Sequence, residues 1–182
     1  MAGGNRNILR VVLTGSECTG KSTLAALLGK HFNVPVVPEY LRTYFIEHGG
    51  VLTYEDATPI AKGQLAAEEQ TAQQLPDDGS LLLLCDTNIL SSVVYNHHYY
   101  GKNPSWIEDT LATAPYDLYL LCDIDVPWQS DGQRDMPDGR EYMQGLFEAA
   151  LKQRSLPYTV VSGSIEERFA KASTYIANML KM

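Results

Sequence analysis

Gly15-Ser16-Glu17-Cys18-Thr19-Gly20-Lys21-Ser22 fits the pattern G-x-x-x-x-G-K-[ST] without a mismatch. Two glycines in such a loop let the backbone curl, so that successive N–H groups point inward at phosphate oxygens. The N-terminus of a following helix adds a positive dipole end. A lysine in the Lys21 position reaches the β- and γ-phosphates of a nucleoside triphosphate. A hydroxyl in the Ser22 position ligates Mg²⁺. The expected nucleotide-binding set is Gly15, Ser16, Glu17, Cys18, Thr19, Gly20, Lys21, Ser22 and Thr23.

A second acid belongs at the end of a neighbouring apolar strand. Leu81-Leu82-Leu83-Leu84-Cys85-Asp86 supplies it. Asp86 is expected to hold Mg²⁺ directly or through water. Capping of the following helix is the other reading of this residue. Pro38-Glu39-Tyr40-Leu41-Arg42 follows another short apolar run. A carboxylate there can accept the proton of an attacking hydroxyl, and an arginine can bind substrate. Asp125 to Gly139 is rich in Asp, Gly and Pro and has no periodicity. It reads as a lid spanning about residues 126–140. Arg134 and Arg140 on it are candidates to neutralise charge on a transferring phosphoryl group. Trp128 is a core anchor or a stacking platform for a flat base.

These residues need a scaffold. Five apolar runs, Ile8–Leu13, Val34–Val37, Leu81–Cys85, Leu118–Ile124 and Tyr158–Val161, are continuous rather than alternating. That is the pattern of strands covered on both faces. Segments with helical spacing separate them, which implies a parallel sheet built from right-handed crossovers. Helix Ser22–His31 should follow the phosphate loop. Thr53–Gln74 should be helical with an irregular start, the main helix running from about Thr58, and largely solvated. Ser164 with Glu167 fits a capping box ahead of a stripe made by Ile165, Phe169, Ala172, Ile176 and Leu180. The expected architecture is a three-layer α/β P-loop NTPase fold, nucleoside/nucleotide kinase-like. It has a five-stranded parallel sheet, a mobile lid, and one domain over residues 1–182.

The chain has 182 residues, 14 Lys plus Arg against 22 Asp plus Glu, and a net charge of −8. That balance argues against nucleic acid or an anionic membrane as partner. Hydrophobic residues make up 45%, enough for a packed core. No apolar run is long enough to cross a membrane. Cys18, Cys85 and Cys122 form no CxxC pair, and scattered thiols suit a reducing cytoplasm. Tyr95 to Tyr100 reads as an interface, a pocket wall or a helix end. His97-His98 is a poor metal pair, because adjacent helical residues point apart. No guanine-reading N-K-x-D or T-K-x-D occurs, so a signalling GTPase is disfavoured, although GTP as donor stays open.

Taken in order, Gly15–Thr23, Pro38–Arg42, Asp86-Thr87-Asn88 and Pro127-Trp128 through Asp131-Gly132-Gln133-Arg134 resemble the ribosylnicotinamide kinase domain of the NadR-type family, over about Ile8 to Leu180. The resemblance implies a phosphotransferase that uses Mg-ATP on the 5′-hydroxyl of nicotinamide riboside. Lys21, Glu39, Asp86, Arg134 and Arg140 would carry catalysis, with Ser22 and Asp86 at the metal. Glu39, Tyr40, Arg42, Asn88, Trp128 and Asp131 would face the substrate, where an indole and carboxylates suit a pyridinium. Asn88 stands where the family often has a second Asp. His97-His98 lacks the H-x-G-H spacing of the family's adenylyltransferase, so no such activity is expected. A kinase for another small nucleoside or alcohol, and a regulatory nucleotide-binding ATPase, are the other readings of the same motifs.

Overall fold

The computed structural model describes residues 7–76, 81–127 and 139–181. Five strands form one sheet: β1 (Leu9–Thr14), β2 (Val36–Val37), β3 (Leu82–Asp86), β4 (Leu118–Cys122) and β5 (Tyr158–Val161). All four pairings are parallel, in the order β2-β3-β1-β4-β5. Among the described residues seven α-helices surround it: α1 (Lys21–Phe32), α2 (Tyr40–Glu47), α3 (Ala57–Gln73), α4 (Ile89–Tyr100), α5 (Ser105–Thr113), α6 (Arg140–Gln153) and α7 (Ile165–Met179).

Each strand is apolar on both faces, and the pleat divides its residues between two cores. Val11 and Leu13 of β1, with Leu82 and Leu84 of β3, pack under α1 and α7 beside Leu24, Leu28, Ala172 and Ile176. Val12, Leu83, Cys85, Tyr119 and Leu121 face the opposite side. There they meet Ile89 and Val93 of α4, Ile107 of α5 and Phe147 of α6. Three layers follow from this division, as expected from the continuous apolar runs.

Several boundaries move for local reasons. The second run forms a strand only at Val36–Val37. Pro35 has no N–H to give a ladder, and Val34 N–H donates to Gly29 O, closing α1. The fourth run ends at Cys122, because Ile124 N–H bonds the Asp123 carboxylate and turns the chain. Helix α1 starts at Lys21, one residue early, with Gly20 at φ 78 in the left-handed region.

The expectation of a solvated third helix is corrected. A 3-10 turn at Tyr54–Asp56 leads into α3, as the irregular start implied, but Gln64 and Glu68 are each 3% exposed. Polar residues read as solvent-facing lie against the sheet because they have partners there. Tyr116 donates to Glu68 Oε2 at 2.8 Å. The Ser164–Glu167 capping box at the start of α7 is present in both directions. Of the expected lid, residues 128–138 lie outside the described residues. Among the described residues no helix is long and apolar enough to cross a membrane.

Candidate active site

The strands are parallel, so their carboxyl ends share one edge, and loops at that edge build the site. The β1–α1 loop curls there. Gly15 has φ 125, and a Cβ on it would sit 2.8 Å from the Cys122 carbonyl. Only glycine allows β4 to approach this closely. Lys21 Nζ donates to the carbonyls of Gly15 (3.0 Å) and Ser16 (2.7 Å), so its charge lies over the loop. Ser22 and Thr23 are exposed at the start of α1, and Thr19 is buried with its hydroxyl on Ser16 O. Gly15 and Ser16 are buried behind the cleft lining. Ser16 is fully buried, and its N–H donates to Gln144 Oε1 at 3.0 Å.

At the end of β3, Asp86 is 7% exposed and its Oδ1 is buried without a hydrogen-bond partner. A buried carboxylate oxygen with nothing to accept from points to an absent cation or water. The capping reading of Asp86 is corrected, since Asn88 is the N-cap. Its Oδ1 accepts Leu90 N–H at 3.1 Å, and its Nδ2 donates to Tyr119 Oη at 3.0 Å. Both ends of the Asn88 amide are therefore engaged in scaffold.

Glu39 follows β2 and occupies the N-cap position of α2, but its own carboxylate does not cap that helix. Its carboxylate lines the cleft and is 20% exposed. Burial pushes its pKa above the ordinary carboxylate range. Lys21 pulls it down, Asp86 pushes it up, and Arg42 pulls it down again. Arg42 Nε lies 3.7 Å from Glu39 Oε2. One nest thus holds Lys21, Asp86, Glu39 and Arg42 within electrostatic reach. Tyr40 does not join it. Its ring packs on α3, where a Cβ at Gly63 would fall 2.0 Å from Tyr40 Cε1.

A cleft of ≈ 600 Å³ runs from the phosphate loop past Glu39 and Arg42. Its far wall is one face of α4, Ser92, Tyr95, Asn96 and Tyr99, with Phe45 and Leu52 opposite. Of the three readings of Tyr95 to Tyr100, two hold together: the stretch lines the pocket and ends α4. His97 pairs with Glu108 at 3.5 Å, and His98 packs edge-on to Tyr99. No cluster able to hold a metal through His, Cys, Asp and Glu alone occurs among the described residues.

The AAA_28 family, described as an AAA domain, matches residues 10–168. The chain belongs to this family. It is 25% identical over 177 residues to the trifunctional NAD biosynthesis/regulator protein NadR of Salmonella typhimurium, and 24% identical over 177 residues to that of Escherichia coli. Each match covers 93% of this chain and 42% of the relative, so the chain spans less than half the length of these relatives. A crystal structure of NadR in complex with NR superposes with a TM-score of 0.78 at 20% identity, over 96% of this chain and 50% of that one. A NadR structure with NAD and AMP-PNP gives the same values. Thymidylate kinase from Ehrlichia chaffeensis gives 0.69 at 15% identity, over 94% and 100%. The fold is thus the three-layer P-loop fold, and over this length the chain is similar to one part of the NadR proteins.

Within this AAA_28 domain the expected lid arginines part company. Trp128, Asp131 and Arg134 lie outside the described residues. Arg140 opens α6, and its guanidinium donates to the carbonyls of Val126 (2.9 Å), Ile124 (3.1 Å) and Cys18 (3.2 Å). That geometry ties the segment at Ile124 and Val126 to the phosphate loop, with the guanidinium engaged on backbone carbonyls. Three holding residues went unread in the sequence. Gln144 bridges Ser16 N–H and Cys122 O. Arg168 is buried and donates to Thr19 O (2.7 Å), Asp123 O (3.0 Å) and Gly163 O (3.0 Å), beside Asp125. Gln64 joins α2 to the turn after β3. A buried Arg carries the one local hint, since unpaired arginine is rarely placed on an otherwise apolar helix face.

Proposed function

We propose that this chain transfers the γ-phosphoryl group of ATP to the 5′-hydroxyl of nicotinamide riboside, giving nicotinamide mononucleotide and ADP. The observation that carries the reading is the cleft itself. It joins a phosphate loop to an aromatic wall, with a carboxylate between them. A nucleotide switch needs no such second chamber. The NadR relatives, named for NAD biosynthesis, and a neighbour that binds NR support this acceptor over other alcohols.

Loop N–H groups and Lys21 would hold the β- and γ-phosphates. Glu39 would accept the proton as the acceptor oxygen bonds to the γ-phosphorus and the bond to the β,γ-bridging oxygen breaks, releasing ADP. Its raised pKa brings it closer to the range where a base works well. Arg42 and the α4 aromatics would orient the riboside, the rings suiting a cationic pyridinium. The orphaned Asp86 Oδ1 and the Ser22 hydroxyl fit a magnesium site. Mg²⁺ there would neutralise charge on the phosphates.

An acceptor series tests the substrate class. With ATP fixed, kcat/KM for nicotinamide riboside should exceed that for uridine, adenosine and thymidine by about 100-fold or more, the discrimination a site built around its substrate gives. A neutral nucleoside preferred over the riboside would overturn the acceptor and leave the phosphotransferase standing.

A further inference from the structure

Helix α2 begins beside a carboxylate that does not cap it. The first backbone N–H groups of a helix have no intrahelical partner, and an acid in the N-cap position is a usual acceptor. Here the acceptor comes from another helix. Gln64 Oε1, on α3, accepts Tyr40 N–H at 3.0 Å. Tyr40 is the residue after Glu39.

The other end of the same amide reaches the second acid's turn. Gln64 Nε2 donates to the Thr87 carbonyl at 3.5 Å. Thr87 is the residue after Asp86, and its φ is 71, a region that β-branched residues rarely enter. Such a conformation persists only when its surroundings over-determine it. Thr87 N–H donates to Leu13 O at 3.0 Å, its hydroxyl pairs with Ser91, and its carbonyl faces Gln64. The Glu68 carboxyl also interacts with the Gln64 side chain, one turn along α3.

We propose that Gln64 is a positioning residue: by taking the first N–H of α2 with one end of its amide and the Thr87 carbonyl with the other, it fixes the start of α2, with the Glu39 carboxylate facing the cleft, against the turn that carries Asp86. Only an amide offers an acceptor and donors on one planar group, which is what Tyr40 N–H and Thr87 C=O together require. Without it, the unsatisfied helix N-terminus and the adjacent Glu39 carboxylate would satisfy each other. The consequence for catalysis rests on the kinase reading of Glu39, whereas the geometry does not.

The test is a ¹³C NMR titration of the Glu39 side-chain carboxyl in the ligand-free protein, where the charged groups facing it are Lys21, Asp86 and Arg42. Gln64→Met has the length and no hydrogen bonds. In it Glu39 should titrate at lower pH than in the wild type, because its carboxylate gains helix N–H donors. Gln64→Glu keeps an acceptor for Tyr40, so Glu39 should titrate as high as in the wild type. With riboside and ATP, kcat of Gln64→Met should fall by about 10- to 100-fold at unchanged KM for ATP, the usual cost of misplacing a reacting group. Gln64→Met should cost less in the Glu39→Gln background than in the wild type, since the part of its effect that acts through Glu39 has nothing left to act on. A folded Gln64→Met protein whose Glu39 titrates as in the wild type would overturn the proposal. If thermal melts show that Gln64→Met does not fold, Gln64→Asn, whose shorter amide cannot span both partners, carries the same titration. Wild-type protein without riboside-dependent ADP would defeat the kinase reading, and the titration would still decide the role of Gln64.

Discussion

Glu39 is held where a carboxylate is costly to ionise, yet Lys21 and Arg42 stand beside it to limit the cost. That combination suits a group that must pick up a proton during one step and lose it afterwards. Glu39→Gln should lower kcat by about 100-fold or more, the range for a positioned general base, with the ATP dissociation constant unchanged within about twofold. Single-turnover rates alongside equilibrium binding of ATP would check both halves. Glu39 and Asp86 were legible in the sequence because each is the first acid after an apolar run, and strand ends are where α/β sites lie. The same reasoning put Asn88 and Tyr40 beside the acids, where their side chains are engaged in scaffold contacts. Position beside the acid placed them near the site, but which way a side chain turns depends on partners such as Tyr119 and Gly63, far away in sequence.

At the scale of elements, α3 does two jobs. Its Gln64 joins the two acid-bearing turns, and its Glu68 is buried against Tyr116 with the pKa pushed up to about 7, chiefly by desolvation. A folded-state pKa above the ordinary value of 4.5 means that the native state holds a proton which the unfolded chain has released. The stability tied to the neutral carboxyl is therefore fully present below about pH 4.5 and is lost as pH rises toward 7. The shift corresponds to about 3 kcal/mol between those limits. Glu68→Gln stays neutral at every pH and can still accept from Tyr116. Its melting temperature relative to the wild type should rise from pH 5 to pH 8, and differential scanning calorimetry across that range would show it. A constant difference would mean that Glu68 is ionised in the fold already at pH 5. None of this was legible in α3, whose Gln, Glu and Ala content matches a solvated helix. The α4 wall was legible in principle, since Ser92, Tyr95, Asn96 and Tyr99 recur at the spacing of one helical face.

For the whole molecule, the alternation of apolar runs and helical segments was enough to fix a parallel sheet covered on both faces. The strand order β2-β3-β1-β4-β5 was not in that alternation; it is set by which edges pair in the folded chain. The clamps were hidden for the same reason. Arg140 and Gln144 of α6 and Arg168 of α7 all reach back to the loop at residues 15–20, more than 120 positions away. The phosphate loop is thus supported by the last two helices of the chain. In the proposed transfer this loop holds the phosphoryl donor and the aromatic face of the cleft beside it holds the acceptor. A coupled assay of ADP release with Mg-ATP, with and without nicotinamide riboside, and mass-spectrometric identification of the product, tests this directly. ADP should form only with the riboside present, with one nicotinamide mononucleotide formed per ADP. ADP release at the same rate with and without the riboside, and no mononucleotide, would contradict it.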